Sequence, residues 1–228
     1  MKISVIIPAY NEEKSIGNCL EALATQTEKP DEIIVVDNNC TDKTVEIAQK
    51  YNARIVKETK QGMIYARNAG FDKALYEIVA RTDSDTVLPP DWISKIKEAF
   101  EDPDLGAFSG PNAYFKTPIL AKASSSMAYG VFYVIGLLMG HPPMLGPNMA
   151  LRKSVWEKTR QSVCLKDCDV HEDIDLSIHI SEVAKIRFDR NFTIRTTRGR
   201  WSKIFTEYVV RLVKMLIAHR KLHSHFNK

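Results

Sequence analysis

The chain has 228 residues, with 32 Lys and Arg against 28 Asp and Glu, and 44% of its residues are apolar. That length fits one large domain or two small lobes on a shared core, and the balanced composition excludes a disordered or collagenous chain. The formal charge of +4 is polarised: residues 198–228 carry eight Lys or Arg against one Glu, a net of +7, which leaves −3 for residues 1–197.

In chain order, the β-branched run KISVIIP (2–8) reads as a buried strand. EEKSIGNCLEALATQ (12–26) follows as a helix with Ile16, Cys19, Leu20 and Leu23 on one face. A second strand, DEIIVVDN (31–38), leads to a helix opened by Thr41 or Asp42 as cap (41–51). ARIVK (53–57) is the third strand, GMIYARNAGFDKALY (62–76) a helix, and EIVARTD (77–83) the fourth strand. A helix at 91–101 and a strand at 105–110 follow. Residues 117–140 read as one or two helices, 147–153 as a strand and 171–183 as an amphipathic helix. Residues 185–196 read as a pair of strands, and 201–224 as a basic amphipathic helix.

Strands alternating with helices predict an α/β chain with a mostly parallel central sheet flanked by helices. Ligands of such sheets bind at the carboxyl ends of the strands. Those ends are Pro8-Ala9-Tyr10, Asp37-Asn38-Asn39 and Asp83-Ser84-Asp85. The first turn, PAYNEE, lacks GxGxxG, and no GxxxxGK[ST] occurs, so no glycine cradle approaches a pyrophosphate. Asp83 and Asp85 offer the other route: a divalent cation, Mg²⁺ or Mn²⁺, takes one or two carboxylates and shares the rest of its shell with phosphates.

VIIPAYNEE, EIIVVDNNCTDKT, KQGMIYARNAG, DSD and HED, in that order, resemble the family 2 inverting glycosyltransferases over residues 2–190. The resemblance implies the GT-A fold, a Rossmann-like single domain. Residues 1–110 would form its nucleotide-sugar-binding half, 111–200 its acceptor and catalytic half, and 201–228 a basic C-terminal helix. It further implies that Pro8, Ala9, Tyr10, Glu12 and Asp37, with Asn39 adjacent, cradle the nucleoside. Arg67 would lie by the base or pyrophosphate. Ser84 lies within the D-x-D, whose Asp85 would bind the metal directly while Asp83 sits nearer ribose and sugar. The base that deprotonates the acceptor would be Asp173, with Glu172 its neighbour. Gly146 and Asn148 would face donor sugar or acceptor, and Arg198 and Arg200 would add positive charge at the diphosphate. Asn38-Asn39-Cys40 stands where the family reads D-G-S, and His171 replaces the glycine before Glu-Asp.

The implied donor is a nucleotide-diphosphate sugar, UDP-linked by family habit with GDP as the alternative. The acceptor would be a glycan or lipid-linked hydroxyl, with no nucleic-acid partner. A polyprenyl-phosphate glycosyltransferase, a nucleotidyltransferase and a non-catalytic binding module are the rivals. Cys19, Cys40, Cys164 and Cys168 form no CxxC pair, which points to a reducing compartment. No signal-peptide pattern opens the chain, and the apolar stretch Met127–Gly140 falls short of the ~20 residues of a spanning helix. The expected location is the cytoplasm, with the basic helix either packed on the sheet or lying as a peripheral contact on the membrane's cytoplasmic face.

Overall fold

The computed structural model describes residues 1–113, 118–165 and 171–196. Its first strand, β1 (Ile3–Ala9), is buried along its whole length, as a run of Ile and Val with no polar alternation requires. On one side it pairs in parallel with β2 (Glu32–Asp37), which pairs in parallel with β3 (Arg54–Lys57). On the other side lies β4 (Ile78–Arg81), also parallel. Beyond β4 come β8 (Met149–Arg152), β6 (Leu105–Ser109) and β9 (Lys185–Phe188). The order is β3-β2-β1-β4-β8-β6-β9, with β8 antiparallel to both neighbours. Residues from both halves of the chain therefore share one sheet, whose carboxyl edge collects the ends of β1, β2, β4, β6 and β9.

Side chains alternate across that sheet. Val5, Ile7 and Val35 pack with Ile16, Leu20 and Leu23 of α1 (Ile16–Ala24) and with Trp92 and Ile96 of α4 (Trp92–Ala99). On the opposite face, Ile6, Ile34 and Val36 pack with Phe71 of α3 (Met63–Lys73), Trp156 of α6 (Lys153–Thr159) and Leu176 of α7 (Glu172–Ser181). Each such aliphatic contributes about 1.5–3 kcal/mol by leaving water, so the layered core fixes the strand register that the functional edge depends on.

Several elements depart from the sequence expectation. α1 starts four residues later than predicted: Asn11 adopts φ 54°, and the Glu12 carbonyl accepts from Ser15 and Ile16 in a turn that precedes the helix. The segment read as a strand at 147–153 begins as a 3-10 turn, Gly146–Asn148, before β8. The two strands read as a pair at 185–196 separate: β9 joins the main sheet, and β10 (Ile194–Thr196) joins two-residue strands β5 (Thr86–Val87) and β7 (Asn112–Ala113) in a small second sheet. Residues 117–140 give one helix, α5 (Pro118–Met139). Its Ile119–Met139 stretch has the length and apolar composition of a membrane-crossing helix, longer than the sequence suggested, and a third of it is buried. The predicted helix at 201–224 lies outside the described residues.

Candidate active site

A cavity of about 400 Å³ opens at the carboxyl edge of the sheet. The end of β1 supplies Pro8, Ala9, Tyr10 and Glu12, and the turn after β4 supplies Asp83, Ser84 and Asp85. Tyr10 is half exposed, a flat aromatic surface at the rim. Asn38 and Gln61 close the side nearest β2.

Asn38 was not among the expected residues, although its neighbours were. Its side chain donates to the Glu58 and Lys60 carbonyls at 3.0 and 2.8 Å and accepts from the Gly62 N–H at 2.9 Å. A carboxylate cannot make the two donations, which gives a physical reason for Asn where the family motif reads Asp. Gly62 itself sits at φ 143°, a conformation that a side chain would strain. The two predicted neighbours of Asn38 are not among the residues that line the cavity. Asp37 accepts from the Cys40 N–H at 2.8 Å within its own turn. Asn39, at φ 70°, donates to the Thr59 carbonyl at 3.0 Å.

The second half of the site is built at the start of α7, where Glu172, Asp173 and Asp175 fill the first turn and the helix dipole favours negative charge. Asp175 is buried and accepts from the Cys164 N–H at 2.9 Å. Asp173 accepts from the backbone N–H of Gly146 at 3.1 Å and from that of Ile174 at 2.9 Å. Burial and the adjacent Glu172 charge push Asp173 up to about 6, against the pull of the Gly146 N–H and Arg81. Glu172 moves the other way: burial would raise it, but Arg81 and Arg67 hold it below the usual carboxylate range.

Arg81, the last residue of β4, connects the two halves. It is fully buried, contacts Glu172 Oε1 through Nη1, and meets Asp83 Oδ1 through Nη2 at 3.2 Å. Asp83 is raised by burial, with Arg81 opposing and Glu172 and Glu12 adding to the rise. Nothing in the sequence singled out Arg81; a charged residue at a strand end reads as solvated.

Two predicted residues have buried side chains with partners inside the fold. Arg67 does not line the cavity. It is fully buried and donates to Glu172 Oε2 at 2.5 Å and to the Glu172 carbonyl at 2.6 Å, so its charge is spent on the base-side helix. Asn148, expected to face donor sugar or acceptor, has its side-chain amide engaged within the fold. It is buried, accepting from Trp92 Nε1 at 2.9 Å and donating to the Gly110 and Phe192 carbonyls at 3.1 and 2.6 Å, which pins the small sheet to the main one. Gly146 meets Asp173 through its backbone N–H. Arg198 and Arg200 lie outside the described residues.

For a hard divalent cation, the carboxylates that line the cavity are Asp83, Asp85 and, at the end of β1, Glu12. Among the described residues no three His, Cys, Asp or Glu side chains converge on one point. Such a donor set suits an ion completed by waters and substrate phosphates rather than one caged by protein.

Residues 4–159 match the model of glycosyl transferase family 2. The chain belongs to that family. A glycosyltransferase of Escherichia coli K12, YibD, is 37% identical over 107 residues, 44% of this chain and 31% of its own length. A dolichol-phosphate mannosyltransferase of Pyrococcus furiosus is 36% identical over 114 residues, 45% of this chain and 31% of its own. The matched segment thus spans about a third of these relatives. Among solved structures, the mannosyltransferase PcManGT of Pyrobaculum calidifontis, in complex with GDP-Man and Mn²⁺, superposes with a TM-score of 0.72 at 22% identity, covering 100% of this chain and 65% of that one. Glucosyl-3-phosphoglycerate synthase of Mycobacterium tuberculosis, with Mn²⁺, UDP and phosphoglyceric acid, gives 0.67 at 17% identity over 95% and 78%. The fold of this chain is the GT-A fold.

Proposed function

We propose that this chain transfers a sugar from a nucleotide-diphosphate donor to an acceptor hydroxyl with inversion, and that Asp173 is the general base. The observation that carries the reading is the bridge through Arg81: the D-x-D and the Glu-Asp pair, about ninety residues apart in sequence, meet on one guanidinium. The cavity then takes the donor, with Tyr10 against the base and Pro8, Ala9 and Glu12 around the nucleoside. Asp85 and Asp83 would hold a divalent cation, which supplies charge neutralisation at the departing diphosphate. Mn²⁺ in the two GT-A neighbours supports that assignment. Arg198 and Arg200 are proposed to add fixed positive charge there.

In the reaction, Asp173 accepts the proton of the acceptor hydroxyl. The hydroxyl oxygen bonds to the anomeric carbon as the bond from that carbon to the diphosphate oxygen breaks, and the nucleoside diphosphate leaves. The transition state has the oxocarbenium character of glycoside hydrolysis. Asp173 fits the base role because its environment raises it to about 6, which strengthens it as a proton acceptor, while Glu172, locked between two arginines, stays ionised and does not compete for the proton.

The polyprenyl-phosphate reading, favoured by the Pyrococcus relative, differs at this step, since an acceptor phosphate needs no base. Asp173→Asn separates the two: a fall in kcat of about 10²–10⁴-fold supports a hydroxyl acceptor, and an unchanged kcat supports a phosphate. A nucleotidyltransferase would release pyrophosphate, and family membership argues against it. We also infer that the exposed apolar residues of α5, among them Ile119, Leu137 and Leu138, meet the membrane that carries a lipid-linked acceptor.

A thermal-shift panel of nucleoside diphosphates with Mn²⁺ tests the donor class. A bound ligand at a hundredfold excess over Kd stabilises by about 2.7 kcal/mol. No shift with any nucleoside diphosphate would remove the reading.

A further inference from the structure

We propose that Arg81 is a positioning residue that ties the donor-side Asp83 to the base-side Glu172, so that the helix start carrying Asp173 is held by an ion-pair chain anchored at the donor cavity. The inference rests on the transferase reading only for what the tie serves; the tie itself is read from geometry.

Arg81 occupies a position where a strand would ordinarily place an aliphatic side chain. Ile78, Val79 and Ala80 before it are buried and apolar, and its partners across the sheet are Ile6 and Met149. Burying a guanidinium there carries a desolvation penalty, and well-packed apolar residues commonly replace buried ion pairs without loss of stability. The fold alone therefore gives no reason for an arginine.

Charge balance gives one. Glu172 already has Arg67 on its Oε2 and its backbone carbonyl. Arg81 brings a second positive charge to the other oxygen and offsets it against Asp83. Two arginines and two carboxylates make the cluster neutral. Asp173, which the Arg81 charge also reaches, keeps backbone donors of its own in Gly146 and Ile174.

Geometry gives the other. The two terminal nitrogens of one planar group each hold a different carboxylate, which fixes their separation as a lysine's single ammonium does not. Gly146 forms the floor of the arrangement. A Cβ at Gly146 would come within 3.0–3.1 Å of the Arg81 guanidinium, and the same residue's N–H holds Asp173. The base is thus attached to a backbone segment that lies directly against Arg81.

The test compares Arg81→Lys and Arg81→Met with the wild-type chain, using amide hydrogen exchange and steady-state kinetics. In Arg81→Met the amides of Gly146 and Ile174, the two donors to Asp173, should exchange at least about tenfold faster, while those of Val5 and Val35 in the central strands keep their protection. Arg81→Lys keeps the charge and loses the fork; its kcat should fall about 10²-fold, with a smaller change in donor KM and an unaltered melting temperature. Wild-type exchange at Gly146 and Ile174 in Arg81→Met, or wild-type kcat in Arg81→Lys, would overturn the proposal. Should Arg81→Met prove unfolded, Arg81→Lys carries both readouts. Asp173→Asn in parallel separates the two claims: full rate in that variant removes Asp173 as base, whereas the exchange result judges the tie by itself.

Discussion

The backbone N–H of Gly146 donates to Asp173 Oδ2 at 3.1 Å, and the same glycine leaves the space that the Arg81 guanidinium fills. One residue therefore both orients the candidate base and admits its neighbouring cation. Gly146→Ala should cost about 1–3 kcal/mol through overpacking and lower kcat more than it raises donor KM. A melting curve and a kcat/KM series check both.

The position of Asp173 sets a pH dependence. Its folded value of about 6 lies above the ordinary 3.8, so the protonated form favours the fold. That contribution to stability is fully present below about pH 3.8 and is lost as pH rises through about 6. Activity runs oppositely, because a base must be ionised: kcat/KM should rise through an acid limb near pH 6 and level off above it. Asp173→Asn should abolish the limb and remove the stability loss over the same window.

Asn148 provides a test of a structural rather than a recognition role. Asn148→Ala leaves Trp92 Nε1 and the Gly110 and Phe192 carbonyls without that partner. We expect a loss of about 2–3 kcal/mol with nucleoside-diphosphate affinity unchanged, measured by denaturant unfolding and calorimetry. A selective loss of affinity at unchanged stability would restore it to the binding site.

The long strands and the D-x-D turn were legible because continuous Ile and Val runs can only be buried, and because a turn after such a run falls on the ligand edge. The small second sheet was not: Thr86–Val87 and Asn112–Ala113 are two residues each, too short to show a period. Arg67 and Asn148 were located by family pattern, which marks a position without saying which way its side chain points. Arg81 was invisible because its partners, Asp83 and Glu172, come together only in the fold. Asn38 was placed at the ligand edge with Asp37 and Asn39 but given no role, because its partners Glu58, Lys60 and Gly62 meet it only in the fold.

The membrane contact proposed for α5 is tested at its outer surface. Leu137 and Leu138 are 67% and 82% exposed. The chain should float with vesicles, and Leu137→Glu with Leu138→Glu should reduce flotation at least about tenfold, since a charge at a lipid-buried position costs more than 1.4 kcal/mol. Equal recovery of wild type and variant would end this reading of the helix.

The most direct measurement is a crystal structure with Mn²⁺ and a nucleoside diphosphate, the metal located by anomalous scattering. The account predicts manganese between the diphosphate and the carboxylates of Asp85 and Asp83, with the nucleoside against Tyr10 and Glu12. A diphosphate bound elsewhere, with neither Asp83 nor Asp85 on the metal, would contradict it.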